Sequence, residues 1–123
     1  MRRTTILLAD DHPMMCATVR TLLEPACEVI ACVEDGTALV KTAAELNPDV
    51  VLLDVGLPLL NGLLAGRRLI KLMPRVKLIF LTMNADPDIV SEAFRIGAYG
   101  YVLKSAMAEE LLPAIQNAMQ VGP

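Results

Sequence analysis

An α/β fold built on a parallel sheet is predicted by three features of this sequence. Short apolar runs rich in β-branched residues alternate with longer segments of helical periodicity, Gly, Pro, Asn or Asp punctuates the joints, and the alternation continues along all 123 residues without an internal repeat or low-complexity stretch. Such alternation demands crossover connections, so the strands run parallel and helices cover both faces. The length is that of one domain able to bury a core. A hydrophobic fraction of 54% with 20% charged residues excludes disorder, and aromatics at 3% make that core aliphatic.

Each element has its own signal. Thr4 to Ala9 is a β-prone apolar run, closed by Asp10-Asp11-His12-Pro13. Pro13 suits the first turn of a helix whose apolar stripe is Met14, Val19, Leu22 and Leu23, ending at Glu24-Pro25. Glu28 to Val33 is a second strand, interrupted by polar residues and so a flanking one. Asp35-Gly36 opens a second helix carrying Leu39, Val40, Ala43 and Leu46, stopped by Asn47-Pro48. Val50 to Leu53 reads as a strand buried on both faces. A third helix over Leu59 to Met73, with Leu63, Arg67 and Ile70 at helical spacing, is stopped by Pro74. Val76 to Leu81 is a fourth strand ending at Thr82. Asp86-Pro87 caps and starts a helix that closes at Gly97. Tyr99 to Leu103 is a fifth strand ending at Lys104. Ser105 is expected to cap a last helix carrying Leu111, Leu112, Ile115 and Met119, with Pro113 inside it at the cost of one hydrogen bond.

Five βα units with the third and fourth strands most apolar, and the first also interior, are satisfied by the strand order 2-1-3-4-5, a flavodoxin-like open sheet. In such sheets ligands bind beyond the carboxyl ends of the strands. That edge collects the polar residues: Asp10 and Asp11 after the first strand, Asp54 after the third, Thr82 at the end of the fourth and Lys104 after the fifth. Three carboxylates brought together repel, and one ammonium does not balance them. A divalent ion with oxygen ligands does, and Mg²⁺ suits one or two carboxylates with waters and a phosphate oxygen. A carboxylate can be the nucleophile toward a phosphoryl group, giving an acyl phosphate. Lys104 and the metal would neutralise the transferring group, and Thr82 could donate to one of its oxygens.

Charge and cysteine content bound the function further. The net charge of -3 gives no general attraction to nucleic acid or anionic membrane. The acids gather in the half ending at Asn61, where the candidate site lies. Arg67, Arg68 and Lys71 read as a solvated helix face. Cys16, Cys27 and Cys32 have no metal-ligand spacing and, without a signal peptide, are expected as reduced thiols that act as small buried hydrophobes in the cytoplasm. No apolar run reaches the ~18 residues of a membrane span.

Taken as a set, Asp10-Asp11-His12-Pro13, Asp54 in LLDVGLPLLNG, Thr82 in LIFLTM and Lys104-Ser105-Ala106 resemble the receiver domain of bacterial response regulators. The DDHP and KSA forms resemble the subfamily whose receivers precede a LuxR-type helix-turn-helix. The resemblance implies Asp54 as phosphoacceptor and Asp11, Asp54 and the Gly56 backbone carbonyl as Mg²⁺ ligands, with Asp10 acting through water. It implies Lys104 as the phosphoryl contact and Thr82 with Tyr101 as a switch pair, Tyr101 turning inward as Thr82 moves. It also implies a sensor histidine kinase as phosphodonor, and a signalling rather than an enzymatic role. Met83, and the serine after Lys104, depart from the common pattern. Gly56 and Asn84 sit where phosphoryl lifetime is tuned, and both admit water. His12 reads as a loop residue rather than a ligand or base.

Other functions of this architecture fit less well. An aspartate-nucleophile phosphatase would carry a second acid two residues after the first, where Gly56 stands, and a flavin module needs a Gly/Ser/Thr-rich loop where Asp10-Asp11 would repel phosphate. A phosphorylation-independent interaction module predicts loss of an essential residue, and none is lost. Residues 1–119 are therefore expected to be a receiver, and 120–123 the start of a linker to an output domain absent from this chain. A homodimer formed on phosphorylation would use either the first and fifth helices or the face of the fourth helix, fifth strand and fifth helix.

Overall fold

The computed structural model describes residues 2–121. Its elements follow in the expected alternation: β1 Thr4–Ala9, α1 Met15–Leu23, β2 Cys27–Val33, α2 Gly36–Leu46, β3 Val50–Leu53, α3 Gly62–Leu72, β4 Lys77–Thr82, α4 Pro87–Arg95, β5 Gly100–Leu103, a 3₁₀ turn Lys104–Ala106, and α5 Met107–Gln120. The five strands form one parallel sheet in the order β2-β1-β3-β4-β5. This is the flavodoxin-like open sheet that the sequence predicts.

Side-chain alternation along each strand divides the core into two layers. Ile6, Leu8, Val50, Leu52, Ile79 and Leu81 face α1 and α5, where Val19, Leu23, Leu111 and Ile115 meet them. Leu7, Val51, Leu53, Leu78 and Phe80 face the other way, onto Leu39, Ala43, Ala65, Leu69 and Ala93 of α2, α3 and α4. All four residues of β3 are buried, as a central strand requires. Truncating any of these large aliphatics to Ala would cost about 2–5 kcal/mol.

Several local expectations change. α1 begins at Met15, two residues after Pro13, and Met14 is exposed rather than part of the stripe. α3 begins at Gly62 because Leu59 takes a left-handed φ of 66° that no helix continues, and Asn61 caps the helix through Leu64 N. Its fully buried stripe is Gly62, Ala65, Gly66 and Leu69, three of them small enough to bring the helix close to the sheet; Leu63 and Ile70 pack partly buried beside it, and Arg67 is exposed. Leu46 and Met119 are largely outside the core. Ser105 does not cap α5, whose N-cap is Ala106 without a side-chain hydrogen bond, because the chain takes a 3₁₀ turn first. α5 accommodates Pro113 on its exposed side and continues to Gln120. Of the expected linker, Gly122 and Pro123 lie outside the described residues.

The expectation of three reduced thiols is overturned. Cys16 and Cys32 are joined as a disulfide, and only Cys27, buried, is free. The first turn of α1 packs over the end of β2, which brings together two cysteines whose spacing carries no sequence signal.

Candidate functional site

Register delivers the site residues to one edge. Ala9 pairs with Leu53, Leu53 with Phe80, and Thr82 with Leu103, so β1, β3, β4 and β5 finish almost level. The next residues extend the ladder briefly, Asp54 N donating to Ala9 O at 3.1 Å and Asp10 N to Val33 O at 3.0 Å. Asp10, Asp54 and Thr82 are consequently buried polar residues at the carboxyl end of an apolar sheet.

The structure brings together Asp10, Asp11, Asp54, Thr82 and Lys104. Asp54 uses both of its oxygens. Oδ1 accepts from Thr82 Oγ1 at 2.7 Å and from Gly56 N at 3.1 Å, while Oδ2 accepts from Lys104 Nζ at 3.0 Å. Burial pushes the Asp54 carboxyl up, but the hydrogen bonds from Thr82, Gly56 and Lys104 outweigh it and hold the pKa below the ordinary carboxylate value. Asp54 is therefore ionised near neutral pH. Burial pulls Lys104 down, and Asp10 and Asp54 more than offset it, leaving the ammonium above its ordinary pKa.

Asp10 Oδ2 is buried, and its close partner is the Lys104 ammonium, 2.8 Å away in an ion pair. Asp11 faces solvent beside it, with its side chain 47% exposed. Ligand atoms of Asp10, Asp11, His12 and Asp54 all lie within 4.8 Å of one another. Three carboxylates converging on a single shared ammonium fit a hard divalent cation with oxygen ligands.

His12 is an exposed loop residue, as expected, and it stands closer to the site than the sequence indicates. Its Nδ1 lies 2.8 Å from Asp10 Oδ1 and 2.8 Å from Lys104 Nζ. One ring nitrogen cannot donate to the carboxylate and accept from the ammonium at once, so the two contacts are alternatives. The available signal was its place directly after two site acids in a loop, which brings even a solvent-facing ring within reach.

Tyr101 is not in the pocket. Its hydroxyl donates to Asn84 O at 2.5 Å, and its ring lies 6.0 Å from that of Phe80. Thr82 and Tyr101 are nevertheless linked through one residue, since Asn84 N donates to Thr82 Oγ1 at 3.3 Å. Arg67, Arg68 and Lys71 are exposed, as a solvated face requires. A cleft of about 510 Å³ between Asp49, Met73 and Lys77 lies at the opposite end of the strands and shares no residue with this site.

The loop after Asp54 is clamped by two glycines. A Cβ on Gly62 would lie 2.0 Å from Asp54 O, and one on Gly36 would lie 1.8 Å from Leu60 O. Only glycine permits the N-termini of α2 and α3 to approach that loop so closely.

Comparison with known proteins places these features in context. Residues 6–116 match the family described as "Response regulator receiver domain". The chain is 38% identical over 119 residues to the transcriptional regulatory protein DegU of Brevibacillus brevis, covering 95% of this chain and 50% of that protein. It is 38% identical over 118 residues to the nitrate/nitrite response regulator protein NarL of Escherichia coli (strain K12), covering 93% and 54%. A crystal structure of a LuxR-family two-component response regulator from Aurantimonas sp. SI85-9A1 superposes with a TM-score of 0.90 at 32% identity, covering 96% of this chain and 86% of that one. The chain thus spans about half the length of the curated relatives it matches.

Proposed function

This chain belongs to the response regulator receiver domain family, a signalling rather than a catalytic family, and from that membership we propose that it is the phosphoacceptor domain of a two-component transcriptional regulator. A sensor histidine kinase donates the phosphoryl group, Asp54 receives it, and the resulting change acts on a DNA-binding output domain of the LuxR type. The observation that carries this reading is the Asp54 carboxylate, held ionised by Thr82 and Lys104 among three converging acids.

In this reading an Asp54 oxygen attacks phosphorus, the bond from phosphorus to the donor's imidazole nitrogen breaks, and an acyl phosphate forms. Asp11, Asp54 and the Gly56 carbonyl would hold Mg²⁺, with Asp10 acting through water. Held there, the ion would supply neutralisation of phosphoryl charge. Lys104 exchanges its Asp54 oxygen for a phosphoryl oxygen. The Thr82 hydroxyl, released from Asp54 Oδ1, donates to another. Its movement pulls on Asn84 and frees Tyr101 to turn inward, favouring a second state of the face formed by α4, β5 and α5. A dimer formed on phosphorylation would bury that face or the one formed by α1 and α5. Among the described residues no helix is long and apolar enough to cross a membrane, and we place the domain in the cytoplasm with its kinase's catalytic portion.

The test is intact mass after incubation with Mg²⁺ and acetyl phosphate, on wild type and Asp54→Ala. One phosphoryl group gained by wild type alone is expected. No gain, with Mg²⁺ binding demonstrated separately, would reject phosphorylation, and equal gain in both proteins would reject Asp54 as the acceptor.

A further inference from the structure

The disulfide stands beside the acidic pocket. Cys16 lies in the first turn of α1, Cys32 near the end of β2, and their Cα atoms are 6.1 Å apart, a separation that disulfides ordinarily span. Both are only partly buried. They open onto a cleft of about 360 Å³ whose lining includes Asp10, His12, Glu34 and Asp35. Arg20 Nε lies 3.5 Å from Cys16 Sγ. The thiolate is the nucleophile of thiol–disulfide exchange, so a partly exposed pair facing a cleft is within reach of a small reagent. Cys27 contrasts with the pair: it is buried, and burial pushes its thiol up and leaves it unreactive.

A second observation says what the bridge does. The helices α2, α3 and α4 each have a side-chain cap, from Asp35, Asn61 and Asp86. α1 has none, since Met14 occupies its N-cap, and α5, which is entered through a 3₁₀ turn, has none either. The loop carrying Asp11 and His12 is tied down by His12 N to Asp10 Oδ1 at 2.8 Å and Met15 N to His12 O at 3.2 Å. The bridge supplies the anchor that a cap supplies elsewhere, fixing the first turn of α1 to the sheet just beyond the cation-binding loop.

We propose that Cys16 and Cys32 form a reversible oxidation site, closed by low-molecular-weight disulfides, whose closure tightens the hold of the acidic pocket on a divalent cation. The Cys16 thiolate attacks the reagent disulfide, forming a mixed disulfide and expelling one thiolate. Cys32 then attacks the Cys16 sulfur and expels the second. The protein pair loses two electrons and two protons, and the reagent leaves as two thiols. Bridges inside cells are characteristically transient and redox-sensing, which suits one placed over a signalling site. The cation arm rests on the proposed reading of the pocket as a metal site, whereas formation of the bridge does not.

The experiment uses wild type treated with dithiothreitol or with oxidised glutathione, then denatured and alkylated. The reduced protein should take a label on each of its three cysteines and the oxidised protein on Cys27 alone. Calorimetric Mg²⁺ titration should give a dissociation constant about threefold lower for the oxidised form, the gain expected from preorganising a short loop. Cys32→Ser should bind Mg²⁺ equally under both treatments, while Cys27→Ser should behave as wild type. Three labels after glutathione treatment, or equal Mg²⁺ affinity of the two wild-type forms, would overturn the proposal. Failure of both forms to take phosphoryl from acetyl phosphate would count against the proposed function alone, and the label count and affinity ratio would still decide this one.

Discussion

Lys104 Nζ lies 3.0 Å from Asp54 Oδ2 and so occupies, by one side chain from the turn after β5, the charge centre of a pocket formed beyond β1 and β3. The same nitrogen is 2.8 Å from Asp10 Oδ2. Both partners have side chains at most 10% exposed, so the pair is screened less than a surface bridge. Lys104→Ala should lower stability in the absence of metal by about 1–2 kcal/mol, discounted from a fully buried pair because the pocket opens to solvent. It should also raise Mg²⁺ affinity, since the competing cation is gone. Phosphoryl uptake should nevertheless fall by about 10²-fold, the scale of losing one charge-stabilising donor. Denaturant unfolding with and without Mg²⁺, and timed intact mass, measure all three. Unchanged uptake would remove Lys104 from the reaction.

Gly62 offers a test of the loop rather than of the charge. An added methyl would meet Asp54 O at 2.0 Å and Val55 Cα at 2.9 Å, both backbone atoms that cannot swing aside. Gly62→Ala should therefore cost about 1–3 kcal/mol, as overpacking does, and displace the Asp54 carboxylate from Thr82. Chemical denaturation reads the first effect and the Asp54 carboxyl pKa by NMR the second, which should rise as the Thr82 hydrogen bond weakens. Wild-type stability in the variant would show that the loop can move without loss.

How far the sequence revealed this site depends on the kind of signal. Val50–Leu53 and the Leu78–Leu81 stretch of β4 were legible because a strand buried on both faces must be a short unbroken apolar run. Asp54, Thr82 and Lys104 were legible because parallel strands place all their ends together. The start of α3 was not, because Leu59 adopts a left-handed φ of 66° that its residue type disfavours. The buried stripe of α3 was missed for a related reason: Gly62, Ala65 and Gly66 are selected by closeness to the sheet, and small residues carry little hydrophobic signal. The Cys16–Cys32 bridge depends on how α1 sits over β2, and the approach of His12 to Lys104 on how the loops after β1 and β5 meet, tertiary relations without sequence periodicity.

Acid should destabilise this domain through identifiable groups. Asp54 and Asp49 both have pKa values below the ordinary carboxylate value. Each is raised by burial and lowered further by partners: Thr82, Gly56 and Lys104 for Asp54, and Arg2 and Thr5 for Asp49. Depressed folded-state values mean that the unfolded chain binds protons more readily. Their contribution is thus complete above about pH 4, the ordinary aspartate range, and is lost as pH falls through the depressed values. Lys104 has the opposite sign. Its raised pKa stabilises fully below about pH 10.4 and is lost as pH rises through the folded value. Unfolding free energy measured against pH should fall at both ends, and Thr82→Ala should blunt the acid limb. An acid limb identical in Asp54→Asn and wild type would assign that loss to other carboxylates.

Tyr101 provides the sharpest test of the proposed switch, which requires two positions of its ring close in energy. The outward ring is held by one hydrogen bond, to Asn84 O at 2.5 Å, and by contact with Phe80. A hydrogen bond of this kind contributes about 0.5–1.5 kcal/mol net. Turning inward would surrender it but bury more of a partly exposed ring, at about 25 cal/mol per Å² of apolar surface. Terms of that size nearly cancel, which is what a phosphoryl group worth a few kcal/mol of differential contact can tip. Tyr101→Phe removes the hydrogen bond and keeps the ring, so it should raise the inward population before phosphorylation by about three- to tenfold. Ring resonances of residue 101 and the amide of Asn84 should then sit nearer their phosphorylated positions in the variant. If both stay at the wild-type unphosphorylated positions, the bond to Asn84 does not govern the switch, and the coupling from Thr82 must run through another contact.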